Sequence, residues 1–177
     1  MLKNVKFLSH PVFLGIVAKK KSRMKRYFIL VTLLIVGLSS CQKYTVSGLA
    51  TTQASTDDAK IQAYIAANKL TFTKDASGIY YQIVTPGTTP HPTTSSSVKV
   101  TYTSMYLSSV SVGKLDGYTA QLSSHVKALQ IAIAKIGTGG RILVIAPSGL
   151  VYGSVASGDV PPNSVLYYTV DLNGFSN

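Results

Sequence analysis

The sequence predicts an α+β domain in which a twisted antiparallel sheet wraps around one helix, with a short helix ahead of it. Three observations point there. Segments such as Ser97–Leu107 alternate apolar and polar residues, the period of a half-buried strand. Val126, Leu129, Ile133 and Ile136 instead fall at helical spacing. The order is a short helix, several strands, one helix and two further strands, which is that of an α+β domain.

Taken in order, residues 42–56 are rich in Gln, Lys, Ser, Thr, Gly and Ala and show little periodicity, so they read as a flexible tether. Asp57 to Asn68 reads as a helix. Thr56 can cap it, Asp57 and Asp58 suit its positive N-terminal dipole, and Ile61, Tyr64 and Ile65 share one face. Leu70–Thr73 and Gly78–Val84 read as strands around the turn Asp75-Ala76-Ser77-Gly78. Residues 86–94 hold Pro86, Pro90 and Pro92 and read as a rigid loop.

After the strand at 97–107, Gly113–Ala120 reads as a turn with Asp116-Gly117 as its tightest point. A helix of about three turns then begins at Ser124, with Gly137 as its C-cap. Arg141–Ala146 reads as a buried strand and Val165–Leu172 as the last one. The domain boundaries are then 1–40 for a leader and signal peptide, 41–56 for the tether, 57–75 for the first helix and strand, and 76–177 for the main domain.

The net charge of +11 suggests nucleic acid until it is located. Lys3, Lys6, Lys19, Lys20, Lys21, Arg23, Lys25 and Arg26 all precede Cys41, and the chain beyond Cys41 carries only about +3. A basic run before an apolar stretch is the n-region of a signal peptide, so the charge that would drive nucleic-acid binding is removed on export. Tyr27–Leu38 is a twelve-residue apolar stretch. That fits a signal h-region and falls short of the roughly 20 residues that span a bilayer. Starting at Met24 gives a signal of ordinary length.

Leu38-Ser39-Ser40-Cys41 resembles the bacterial lipobox, and Cys41 is the only cysteine. The expected product is an exported chain in the cell envelope, facing the periplasm, with lipid on Cys41 as its membrane anchor. The alternative is an ordinary signal peptide with an incidental cysteine. His91 and His125 have no ligand partner at metal spacing, so no metal and no cofactor is expected.

One block is more specific. Gly139-Gly140-Arg141 leads into a strand ending at Pro147, Leu150-Val151-Tyr152-Gly153 comes next, and Val160-Pro161-Pro162-Asn163-Ser164 precedes the last strand. This resembles the C-terminal half of FKBP-type peptidyl-prolyl cis-trans isomerases. Ser77–Tyr81 with Pro86-Gly87, and Val98–Thr103, resemble upstream segments of the same family in the same order. The likeness covers about residues 76–175.

The resemblance implies an FKBP-like sheet around one helix, and proline-containing polypeptides as clients. It implies Tyr102 and Tyr168 as walls of the proline pocket, and Tyr152 as a wall and hydroxyl donor. It further implies Val126 as a backbone N–H donor, Leu129 at the floor, Val151 beside the substrate, and Val160 and Pro161 at the rim.

Three departures stand against full activity. The family's Phe-Asp pair aligns with Val112-Gly113 when counted without gaps, or with Ala120-Gln121 when Asp116-Gly117 is set on the family's Asp-Gly turn. The floor tryptophan aligns with Leu129, and the chain has no Trp. The stretch from Tyr102 to Val126 is also shorter than in the family, which implies a shallower and less aromatic pocket. The expected function is therefore a weak isomerase. The alternatives are a catalytically silent FKBP-like binding module of an envelope complex, or a structural domain unrelated to prolines.

Overall fold

The computed structural model describes residues 46–177. The leader, the signal peptide and Cys41 lie outside the described residues. Within them the order is α1 (Val46–Ala67), β1 (Thr73–Lys74), β2 (Tyr80–Thr85), β3 (Ser97–Tyr106), β4 (Ser111–Gln121), a 3-10 turn at Leu122–Ser124, α2 (Lys127–Ile133), β5 (Arg141–Ala146), a second 3-10 turn at Ser148–Leu150, and β6 (Leu166–Ser176). The strands form one sheet in the order β1-β2-β5-β6-β3-β4, and every pairing is antiparallel.

Period-two alternation gives the sheet two apolar faces. Val98, Val100, Ile142, Val144, Val170 and Leu172 point to one face, where Ala128, Leu129, Ala132, Ile133 and Ile136 close over them. Fully burying an Ile or Leu side chain contributes about 1.5–3 kcal/mol, so this helix-on-sheet core holds the domain together. Tyr80, Ile145 and Tyr167 face the other way, and there α1 docks through Ile61, Tyr64 and Ile65. The sheet is thus covered on both faces, not on one.

Several readings are corrected. First, α1 begins at Val46, so residues 46–56 are helical and not tether. Thr56 does not cap; its Oγ1 donates to Thr52 O one turn back at 2.9 Å, the alternative use of a hydroxyl inside a helix. Asp57 and Asp58 therefore sit mid-helix. Asp58 pairs with Lys74 at 2.6 Å and accepts from the Tyr80 hydroxyl at 2.7 Å.

Second, residues 113–120 are not a turn but most of β4. Asp116-Gly117 forms a bulge: Val100 faces Tyr118 and Tyr102 faces Leu115, so two residues oppose Thr101. Gly117 takes φ +58° there, and its N–H donates to Thr101 Oγ1 at 3.0 Å. A left-handed glycine opposite a single partner residue is one form of bulge. The reversal itself is at 107–110, where Tyr106 N–H donates to Val110 O at 2.9 Å.

Third, α2 is two turns rather than three and starts at Lys127. Gly137 does not cap it. Its N–H donates to Pro86 O at 2.8 Å, and the 86–88 segment crosses directly over it. Of Leu70–Thr73, only Thr73 enters a strand.

The C-terminal end of α2 is tied to the turn before β2. Lys135 Nζ donates to Asp75 Oδ2 at 2.7 Å, and Ser77 N–H donates to Oδ1 at 2.8 Å. Lys135 first and Ser77 second hold the Asp75 carboxyl well below the usual carboxylate range. A depressed native pKa confers stability that is fully present above the unfolded value of about 4 and is lost as pH falls toward the native one. Asp75→Asn is therefore expected to be less stable than the parent at pH 7, with the gap closing below about pH 4. Urea midpoints across that range test this; a gap independent of pH would refute it.

Candidate functional site

The sheet curves around α2, and its concave side opens into a cavity of about 670 Å³. Its walls come from five pieces of chain. β3 supplies Tyr102 and Ser104, β4 supplies Val112, Gly113 and Tyr118, and the first turn of α2 with the residues leading into it supplies His125, Val126 and Leu129. The loop after β5 supplies Tyr152, Asp159 and Val160, and β6 supplies Tyr168.

Tyr168 is 2% exposed and Leu129 1%, which makes them the floor, whereas Tyr152 at 38% stands at the mouth. The rings of Tyr102 and Tyr168 meet edge-to-face with centroids 6.0 Å apart, a favourable aromatic geometry. Burial first, and the neighbouring tyrosines second, push both phenols above the usual tyrosine value. Both therefore stay protonated and uncharged at neutral pH.

The rim loop is built by its backbone. Gly153 N–H donates to Ser148 O at 2.8 Å, Ser157 and Val160 exchange N–H···O bonds at 3.0 Å, and Asn163 N–H donates to Gly153 O at 2.7 Å. Asn163 takes φ +59°, a conformation that asparagine tolerates better than most residues. Tyr106 reaches over from β3 and donates its hydroxyl to Asp159 O at 3.1 Å. Tyr152 is thus held in a loop closed at both ends.

Six residues singled out in the sequence converge here: Tyr102, Val126, Leu129, Tyr152, Val160 and Tyr168. Two do not. Val151 packs against the main core, because the 3-10 turn points it inward as its N–H bonds Ser148 O. Pro161 is exposed beyond the lining, and its carbonyl accepts from Ser164 Oγ at 2.7 Å.

Val126 precedes α2 in an extended conformation, and its N–H makes no hydrogen bond among the described residues. The Tyr152 hydroxyl has no hydrogen-bond partner among them either. These are two donors at one opening, able to reach carbonyls of a bound chain.

The cavity also holds residues the sequence did not suggest. Tyr118 is 47% exposed and meets the His125 ring edge-to-face at 6.0 Å. Burial lowers the pKa of His125, so its imidazole is neutral at pH 7. Reading its segment as a turn hides Tyr118, and His125 carries no motif.

Val112 and Gly113 line the cavity, whereas Ala120 and Gln121 do not. Gly113 brings no side chain to the cavity. The nearest polar atom is Ser104 Oγ, which donates to Gly113 O at 3.3 Å. Asp116 is turned away, accepting from Thr101 at 3.1 Å and pairing with Lys114 at 3.5 Å. Four tyrosine rings line the cavity, and Leu129 is the aliphatic part of its floor.

Residues 89–173 match the family model for FKBP-type peptidyl-prolyl cis-trans isomerases. A relative, the FKBP-type peptidyl-prolyl cis-trans isomerase FkpA of Aeromonas hydrophila, is 29% identical over 119 residues. That alignment covers 64% of this chain and 44% of the relative, so the chain matches less than half of the relative's length. Among solved structures, FkpA from Escherichia coli aligns with a TM-score of 0.63 at 17% identity, over 93% of this chain and 92% of that one. A peptidyl-prolyl cis-trans isomerase from Pseudomonas syringae pv. tomato aligns at 0.60 and 22% identity, over 72% and 96%. AtFKBP13 aligns at 0.56 and 19%, over 60% and 99%. At these identities the structures speak for the fold, the α+β arrangement that the sequence predicted.

Proposed function

We propose that this chain is an FKBP-type peptidyl-prolyl cis-trans isomerase of weak activity, acting on exported polypeptides in the cell envelope and anchored by lipid on Cys41. The observation that carries the reading is the convergence of Tyr102, Val126, Tyr152 and Tyr168 on one open concavity over Leu129.

Rotation about an Xaa–Pro bond needs little side-chain reactivity. The barrier of about 18–20 kcal/mol comes from amide resonance, and the twisted amide is less dipolar than the planar one. A dry pocket therefore favours the twisted form. Tyr102, Tyr168 and Leu129 would grip the proline ring out of water. Tyr152 Oη–H and the Val126 N–H would hold the flanking carbonyls in the twisted geometry, which is differential binding of the transition state.

Weakness is proposed for two reasons. The floor at Leu129 is aliphatic, and Gly113 supplies no carboxylate to the pocket network. The same two features support the alternative, a silent binding module that holds a proline-containing segment without turning it over.

Tyr152→Phe keeps the ring and removes the donor. It is expected to cost about 1 kcal/mol of transition-state stabilisation, roughly fivefold in kcat/KM. Asp116→Asn should change the rate far less, since Asp116 faces away from the cavity. A protease-free assay of cis-to-trans conversion on a short Xaa-Pro peptide decides it. No rate above background from the unmutated protein would sink the isomerase and leave the binding module.

A further inference from the structure

Asp57 lies on α1, outside the cavity lining, yet it is fully buried. Its Oδ2 accepts from Ser148 N–H at 2.8 Å and from Ser148 Oγ at 2.6 Å. Its Oδ1 accepts from Gln53 Nε2 at 2.7 Å. Ser148 opens the 3-10 turn after β5, and the residue before it is Pro147, which provides no side-chain cap. The first N–H groups of any helical turn lack internal partners. Here a carboxylate from a distant helix supplies the missing acceptor.

The bond reaches the cavity through the backbone. Ser148 O accepts the N–H of Val151 at 2.9 Å and of Gly153 at 2.8 Å. Those two amides bracket Tyr152. Gly153 O in turn holds Asn163 N–H at 2.7 Å, closing the rim loop. Docking of α1 does not need the carboxylate, because Ile61, Tyr64 and Ile65 already pack on the sheet. Burying a carboxylate is costly unless its bonds are made, so its presence calls for a role that apolar packing cannot fill.

We propose that Asp57 is a positioning residue for the isomerase site: it caps the Ser148–Leu150 turn in trans and so fixes the backbone that presents the Tyr152 hydroxyl. This rests on the isomerase reading above for its kinetic consequence and on the hydrogen-bond chain alone for its structural one. The N-terminal helix is then part of the functional unit and not only an appendage to it.

The test compares the full protein with Asp57→Ala, Asp57→Asn and Ile61→Ala. All four are assayed at a temperature where circular dichroism shows them folded. Asp57→Ala should lower kcat/KM about tenfold, mainly through kcat, as expected when a group is displaced from its productive position. Its amide exchange should speed up at Val151 and Gly153 but not at Val144 in β5. Asp57→Asn, which keeps an acceptor for Ser148, should restore both. Ile61→Ala should loosen exchange generally, including at Val144, with kcat/KM near the parent's.

Unchanged protection of Val151 and Gly153 in Asp57→Ala would overturn the proposal. So would an Ile61→Ala variant with the same selective exchange and the same kcat loss. If the parent catalyses nothing, the isomerase reading fails, and the exchange pattern still decides whether Asp57 positions the loop.

Discussion

Gly137→Ala is expected to destabilise the domain by about 3 kcal/mol or more, the upper range for overpacking a rigid site. A Cβ at Gly137 would fall inside the contact radius of Thr88 O, with Thr88 C at 2.6 Å and Thr88 N at 3.0 Å. All three are backbone atoms, so no side chain can swing away. The crossing is held from both sides, since Gly137 N–H bonds Pro86 O and Thr88 N–H bonds Thr138 O at 3.0 Å. Gly140 is also tight, though less so, with Gly137 O 2.8 Å from the place its own Cβ would take.

Gly139→Ala is the control. Its Cβ would meet nothing within 4 Å, but its φ is +78°. It should cost only the left-handed strain of about 1–2 kcal/mol. Urea unfolding followed by tyrosine fluorescence or circular dichroism gives both numbers. A Gly137→Ala variant as stable as Gly139→Ala would mean that the 86–88 segment does not cross where described.

Cys41→Ser is expected to abolish lipidation and release the protein from membranes. Lipid attachment needs a thiol nucleophile, and a serine hydroxyl is a far poorer one at neutral pH. A single acyl chain gives only marginal membrane binding, and a stable anchor takes two signals; a diacylglyceryl group supplies two chains on one sulfur. Among the described residues no helix is long and apolar enough to cross a membrane. Labelled fatty acid uptake and membrane fractionation of parent and variant measure this. A parent that takes up no label, with a variant that fractionates as the parent does, would refute the anchor. Any isomerase rate of the variant should match the parent's, since Cys41 precedes every residue that lines the cavity.

Local pattern was enough wherever neighbouring residues decide the outcome. The alternation around Val98 and Val100 set a strand, and its register put both in the core. The Leu150–Gly153 and Val160–Ser164 segments set most of the rim loop, because the Ser157–Val160 and Asn163–Gly153 bonds lie within 150–164 and Asn163 suits its left-handed corner. The resemblance carried Tyr102, Val126, Leu129, Tyr152, Val160 and Tyr168 into one cavity, while Val151 and Pro161 fell just outside it.

Elsewhere one signal served two ends. Asp-Gly marks a tight turn and also a bulge. At Asp116-Gly117 the bulge won, because β3 offers Thr101 to satisfy both residues. Tyr118 entered the cavity with the strand that resulted. Thr56 and Asp57 can begin a helix or continue one, and here they continue it.

The sequence by itself determined the α+β class and the period-two alternation of the strands, since each depends on residues close in the chain, and its resemblance to a family pointed to the pocket candidates. Only the tertiary structure decided where α1 starts, that β4 is a strand, and that Asp57 caps Ser148. For Asp57 the reason is physical: a buried polar group takes whichever donor the fold brings to it, however distant in the chain. Asp57 and Ser148 are 91 positions apart, and nothing in the residues around either one names the other.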